Sequence, residues 1–205
     1  MIKLLIFDFD GTIVRSKSLY FDAIYNALKK HKYNPSRKSV RDLLGFRLEV
    51  LLEKLGIKGA KAISVLKNEV NNKVLKKSAG LTACPNVASL NGILQKNKCV
   101  LVTNSISEYA YPFLKKHNLK FALVMGAEKF SSKQDAFRVL FRKFKIKPEE
   151  AVYIADRAQD VDIARNVGCK VSIISNRCSW SPLNEIKRRE PDYLINSLAS
   201  LDRLF

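Results

Sequence analysis

What most limits the fold of this chain is a rhythm. Short apolar runs of strand length recur at residues 2–7 (IKLLIF), 99–103 (CVLVT), 121–125 (FALVM), 151–155 (AVYIA) and 170–174 (KVSII), with a weaker run at 192–195 (DYLI). Between them, residues 105–117, 133–145 and 158–168 carry apolar side chains at helical spacing; Ala136, Val139, Leu140 and Phe144 form one such stripe. A strand buried on both faces reads as a continuous apolar run, and single runs separated by helices join in parallel. The expectation is an α/β fold with a doubly wound parallel sheet covered by helices on both faces.

The stretch from 15 to 84 breaks that rhythm. It offers no convincing strand, only helical segments at about 17–32, 37–44, 47–56 and 59–78, separated by Asn34-Pro35-Ser36, Gly45, and Gly56 to Gly59. Residues 79–86 (AGLTACPN) form the return, with a helix opening after Pro85. The organisation expected is a Rossmann-like core of residues 1–14 and 85–205, with a small all-helical cap at 15–84 inserted after the first strand. A length of 205 residues suits one sizeable core better than two.

Charge sets the cap apart. The chain holds 37 Lys and Arg against 19 Asp and Glu, a net +18, and residues 14–82 alone hold 16 basic and 5 acidic side chains, a net +11. Such a face suits a phosphorylated metabolite, a nucleic acid or an anionic membrane, or is simply a solvated helical exterior. Without long blocks of like charge or aromatic residues interleaved with basic ones, nucleic acid is not the favoured partner. No run reaches the length of a membrane span, and no signal-peptide pattern opens the chain. A cytoplasmic protein with no membrane partner is expected. Cys84, Cys99, Cys169 and Cys178 form no CxxC pair and lie away from His31 and His117. They read as buried thiols rather than a zinc site or a disulfide frame.

Chemistry concentrates at the strand ends. Asp8-Phe9-Asp10-Gly11-Thr12 leaves the first run directly, and ligands of a doubly wound sheet bind beyond the carboxyl ends of its strands. Two acids at that spacing can face one crevice; Gly11 permits a tight turn, and Thr12 adds a hydroxyl and a backbone N–H. Asp156 and Asp160 follow the 151–155 run, where Asp156 is either a helix N-cap or half of a second acidic pair. Two carboxylate clusters at the ends of two buried strands fit a hard divalent cation such as Mg²⁺, which takes oxygen ligands. Thr103-Asn104-Ser105 ends another run and starts a helix, as an ordinary cap or as an anion site. Lys133, at the head of the next helix, is either a surface lysine or the counter-charge for carboxylates and a phosphate.

In this order, DxDGT, then TNS, then Lys, then DxxxD, the chain resembles the haloacid dehalogenase superfamily. The subgroup is the one with a small helical cap, as in phosphoglycolate phosphatases and β-phosphoglucomutases. The likeness takes in Asp160-x-x-x-Ala164-x-x-x-Gly168 and the ending Pro191-Asp192-Tyr193-Leu194-Ile195-Asn196-Ser197-Leu198, and so covers essentially the whole chain. The resemblance implies that Asp8 is a nucleophile forming an aspartyl-phosphate, and that Asp10 protonates the leaving alcohol and then activates water. It assigns phosphate binding to Thr12, Thr103, Asn104 and Lys133. Mg²⁺ falls to Asp8, Asp10 through its backbone carbonyl, and Asp156, with Asp160 as a ligand or just behind the ligands. The activity implied is a Mg²⁺-dependent phosphomonoesterase acting on a small phosphorylated metabolite, as a monomer or weak dimer. The alternatives are a phosphomutase and a basic nucleic-acid-associated phosphatase or binding module. Dehalogenases of the family lack an acid at the position of Asp10, which disfavours carbon–halogen chemistry.

Substrate reading in this subgroup belongs to the cap. Arg47 is therefore expected to grip a distal carboxylate or phosphate, with Arg15, Lys17 and Tyr20 as lesser candidates at the cap entrance. His31, the only cap histidine, ends a long helix between two lysines, which argues against a mutase. Ala155-Asp156-Arg157 departs from the usual Gly-Asp-Ser/Thr. It sets a cation beside the metal ligands that could pair with Asp160, contact a second phosphate or point away. Gln134 stands where a proline commonly follows the lysine, and Val14-Arg15 where an acid is frequent.

Overall fold

The computed structural model describes residues 1–205. The first apolar run becomes strand β1, Leu4–Phe7, with all four side chains buried. A two-residue strand β2 (Val14–Arg15) follows, then helices α1 (Lys17–Lys30), α2 (Arg37–Asp42), α3 (Leu48–Lys54) and α4 (Ala60–Leu75), then a second short strand β3 (Thr82–Ala83). The remainder alternates: α5 (Leu90–Lys96), β4 (Cys99–Val102), α6 (Ser107–Lys116), β5 (Leu123–Met125), α7 (Lys133–Phe144), β6 (Ala151–Ala155), α8 (Ala158–Arg165), β7 (Lys170–Ile174), α9 (Leu183–Arg188) and β8 (Tyr193–Ile195).

All six expected strands enter one parallel sheet of order β5-β4-β1-β6-β7-β8. β1 lies inside it, with Phe7 opposite both Leu101 and Ile154. The chain steps outward from β1 to β4 and β5, then returns across β1 to begin β6. That reversal opens a crevice beyond the carboxyl ends of β1, β4 and β6. Side chains alternate across the sheet as the pleat requires. Leu5 and Phe7 join the larger core with Phe113 and Leu198, while Leu4 and Ile6 join Phe137, Leu140 and Val161 on the other face. Each large aliphatic or aromatic side chain so buried is worth roughly 1.5–3 kcal/mol.

Helices α1 to α4 stack above the carboxyl end of the sheet and continue its larger core through Leu28, Leu51, Leu66 and Val70. The stretch read as strand-free is in fact closed at its foot by a short antiparallel ladder, Val14 opposite Ala83 and Arg15 opposite Thr82. Two residues per strand are too few to show an alternating pattern. One stripe also needs correction: Val139 is 43% exposed, and α7 meets the sheet through Ala136, Phe137, Leu140 and Phe141. The buried face thus runs through adjacent pairs one turn apart, which turns Val139 outward. All four cysteines are buried free thiols, and no helix is long and apolar enough to cross a membrane.

Candidate active site

The floor of the crevice is made by the residues that follow three neighbouring strands. Asp8 extends the ladder of β1, its N–H donating to the carbonyl of Ile154 at 2.8 Å. Its Oδ1 accepts the N–H of Phe9 at 2.8 Å, and its Oδ2 lies 2.8 Å from Nζ of Lys133. Lys133 heads α7 behind Ser132, whose side chain accepts the N–H of Asp135 and so caps the helix. From there its ammonium also donates to the Tyr153 hydroxyl and stands 3.7 Å from Asp160 Oδ1. Tyr153, on β6, in turn donates to Asp160 Oδ1 at 3.1 Å. Asp160 Oδ2 accepts the N–H of Arg157 at 3.2 Å, which fixes the first turn of α8.

Asp156 is held with equal care. Its Oδ2 accepts the N–H of Trp180 at 2.6 Å and its Oδ1 the hydroxyl of Thr12 at 3.2 Å. Gly11 lets it sit there: at φ +80°, an added Cβ would fall 2.3 Å from Asp156 Oδ2 and 2.6 Å from Trp180 Cδ1. Asp10 turns the other way, toward β4. Its Oδ2 accepts the hydroxyls of Ser105 at 2.6 Å and Thr103 at 3.3 Å, and the Tyr20 hydroxyl donates to Ser105 Oγ at 2.6 Å. Asp10 Oδ1 is buried beside the hydroxyls of Ser16 and Tyr109.

Electrostatics follow from this crowding. Burial pushes Asp8 above the usual carboxylate range, with Asp160 adding to the push and Lys133 opposing it. Burial, then the charges of Asp8 and Asp160, hold Asp156 well above that range. Burial opposes the charge on Lys133, yet Asp8 and Asp160 outweigh it and keep the ammonium above its ordinary value. Asp10 is pushed up to about 6 by burial, with the charge of Asp8 adding to the push and the hydroxyls of Ser105, Ser16 and Thr103 opposing it. Asp8, Asp156 and Asp160 each offer an oxygen within 4.8 Å of the others. Three buried carboxylates held apart from water, with one ammonium among them, form the all-oxygen donor set that hard divalent cations take.

Helices α1 to α4 roof this floor and enclose a cavity of about 50 Å³ between Tyr20, Leu44, Phe46 and Leu51 above and Asp8, Asp10, Thr103 and Lys133 below. Asn104 also reaches the cavity, its amide donating to the Gly45 carbonyl at 3.0 Å. Thr12 does not line it, because its hydroxyl is turned to Asp156. The two cap arginines expected to read substrate are elsewhere. Arg47 spends its guanidinium on the carbonyls of Phe130 and Ala127, at 2.5 and 3.0 Å, and on Glu49 at 3.0 Å. Arg15 is exposed on an outer surface with Ser18, Asp22 and Lys77. His31 pairs with Glu69 on the outside of the roof. Residues that spacing did not single out are Tyr153 and Trp180. Tyr153 was marked only by being the one polar-tipped side chain in AVYIA, and Trp180 by nothing local.

The sequence model of the haloacid dehalogenase-like hydrolases matches residues 5–174. The chain belongs to that family. Among curated relatives, a phosphoglycolate phosphatase of Vibrio parahaemolyticus serotype O3:K6 (strain RIMD 2210633) is 26% identical over 217 residues, which covers 98% of this chain and 94% of the relative. One from Vibrio vulnificus (strain YJ016) is 30% identical over 106 residues, but that match spans only 49% of this chain and 46% of the relative. In structure the haloacid dehalogenase-like fold recurs in a hydrolase from Pseudomonas syringae, with a TM-score of 0.86, 19% identity, and coverage of 100% of this chain and 98% of that one. CbbY from Rhodobacter sphaeroides, in complex with xylulose-(1,5)bisphosphate, gives a TM-score of 0.81 at 16% identity, over 98% and 96% of the two chains.

Proposed function

We propose that this haloacid dehalogenase-like hydrolase is a Mg²⁺-dependent phosphomonoesterase of small metabolites, acting through a phosphorylated Asp8. The observation that carries the reading is the placement of two unequal carboxylates in one cavity. Asp8 is fixed on the Lys133 ammonium with its backbone bond made, whereas Asp10 is held only by hydroxyls, those of Ser105 and Thr103. In this scheme Asp8 Oδ attacks phosphorus while the bond to the leaving oxygen breaks. Asp10 gives that oxygen a proton, then takes one from the water that cleaves the acyl phosphate. Lys133 and the Thr103–Asn104 turn neutralise and orient the phosphoryl oxygens. Asp8, Asp156 and the Asp10 carbonyl would hold Mg²⁺, with Asp160 beside them; bound there, the ion supplies positive charge to the phosphoryl group. Residues 15–84 act as the cap over a core of 1–14 and 85–205. The names of the Vibrio relatives point the same way, toward a small phosphorylated acid. The size of the cavity opposes a polynucleotide, and the outward position of His31 opposes a mutase.

Phosphate release from p-nitrophenyl phosphate, with Mg²⁺ and with chelator, tests this. Wild type should turn over only with the metal, and Asp8→Asn should lose at least roughly 10³-fold in kcat. Equal rates with and without metal, or an active Asp8→Asn, would sink the mechanism.

A further inference from the structure

Two cations line the inner cavity, Lys133 and Arg157. They are in opposite circumstances. Lys133 is bonded to Asp8 and Tyr153 and lies near Asp160. Arg157 is 8% exposed, yet its only bonds are made by its backbone, the N–H to Asp160 Oδ2 and the carbonyl from the Asp160 N–H, and its guanidinium has neither a protein hydrogen-bond partner nor a carboxylate within ion-pair distance. No protein acceptor meets its five donors, which are left to the solvent of the cleft and are free for an anion. The guanidinium is nevertheless held in place. It lies against the roof at Gly45, where an added Cβ would fall 2.2 Å from Nη1, and Gly45 has φ +91°. The Phe46 ring lies 5.7 Å away, a contact that positions a cation without satisfying its donors.

Arg157 also belongs to a second space. Together with Leu44 and Trp180 it lines both the inner cavity and a wider cleft of about 340 Å³, which holds Lys17 and Arg41 along with Asp42 and Glu185. An anion on this guanidinium is thus displaced from Asp8 toward the roof, and is reached from outside.

We propose that Arg157 is a specificity-determining residue that receives a second anionic group, a carboxylate or phosphate, borne on the same small molecule as the phosphoryl group delivered to Asp8. The inference rests on the hydrolase reading above and deepens it: the substrates are small phosphomonoesters with a second anion a few bonds from the ester. Guanidinium and carboxylate or phosphate match as planar fork and paired oxygens, a fit that lysine lacks. The selecting charge then stands on the core strand end, under the roof, and not on Arg47.

The test compares wild type, Arg157→Gln and Arg157→Lys on matched pairs. Phosphoglycolate against ethyl phosphate exchanges a carboxylate for a methyl group; propane-1,3-diol bisphosphate against propyl phosphate adds a second phosphate. In wild type, kcat/KM should favour a two-anion member by roughly 10- to 100-fold, and the pair showing it names the anion. Arg157→Gln should bring that ratio close to one, with Arg157→Lys between. Calorimetric binding of phosphonoacetate against ethylphosphonate reads the same preference without turnover, so it decides the matter even if wild type hydrolyses nothing and the hydrolase reading falls. The melting temperature of Arg157→Gln should hold or rise, since the guanidinium satisfies nothing in the free protein. Equal wild-type ratios in every pair, or a preference that survives in Arg157→Gln, would overturn the proposal, and so would a lowered melting temperature with that preference intact.

Discussion

The floor of the cavity and the roof over it handle charge in opposite ways. On the floor, Asp8, Lys133, Tyr153, Asp160 and Asp156 are buried and bonded to one another or to backbone N–H groups at the ends of β1 and β6. In the roof, most charged side chains of α1 to α4 face solvent, and the cavity side is uncharged: Ile24, Leu44, Leu48 and Leu51, with Tyr20 and Asn71. The floor cannot move without breaking several charged contacts at once. The roof is tied down by a few bonds, notably Asn104 to Gly45 and Arg47 to Ala127 and Phe130. The strand ends thus form the rigid part of the cavity, and the layer above them the more loosely tied part.

Breaking the floor should be costly. Lys133→Met leaves Asp8 and Asp160 without their buried cation, and removal of one partner from such a pair costs about 3–5 kcal/mol. Urea unfolding in metal-free buffer near pH 7 should show that loss. A change under about 1 kcal/mol would mean that the carboxylates do not depend on Lys133.

The floor should also betray itself through pH. Asp10 has its folded pKa pushed up to about 6 from 3.8, so the native state binds its proton more tightly than the unfolded chain. That contribution is whole below pH 3.8 and fades as pH climbs through about 6, a difference of about 3 kcal/mol. Asp10→Asn cannot titrate. Metal-free wild type should therefore lose stability relative to this variant between about pH 4 and 7, measured as the gap between their melting temperatures. A constant gap would place Asp10 in water.

The roof should give way more gently. Arg47→Ala removes bonds to two carbonyls and Glu49, with an expected cost of about 1–2 kcal/mol. Amide exchange should quicken at 127–130 while the preference among phosphorylated substrates stays as in wild type. A lost preference would return substrate reading to Arg47 and take it from Arg157.

The same division explains what could be read from the chain beforehand. Asp8 and Asp10 are neighbours at a strand end, and Thr103, Lys133 and Asp156 each follow or open an element with a clear apolar pattern. Local spacing therefore places them. Arg47 had the right charge in the right segment, but its destination is fixed by how close the loop at 127–130 comes, some eighty positions along the chain. Trp180 reaches Asp156 through a backbone N–H, which any residue type could offer. Gly45 matters because Arg157 lies on it, and no pattern in either segment announces the meeting. Contacts between distant segments that use backbone groups or an absent Cβ leave no trace in residue type.

The small ladder of β2 and β3 has a consequence in polymer terms. It brings the two ends of the segment 16–81 side by side, so the chain between them is a loop already closed from the standpoint of the sheet. The entropy of closing a loop grows only logarithmically, about 0.6 kcal/mol for each doubling of its length. Loop closure therefore places almost no limit on the number of residues above the ladder; what fixes that layer is the core it shares with the sheet and contacts such as Tyr20 to Ser105.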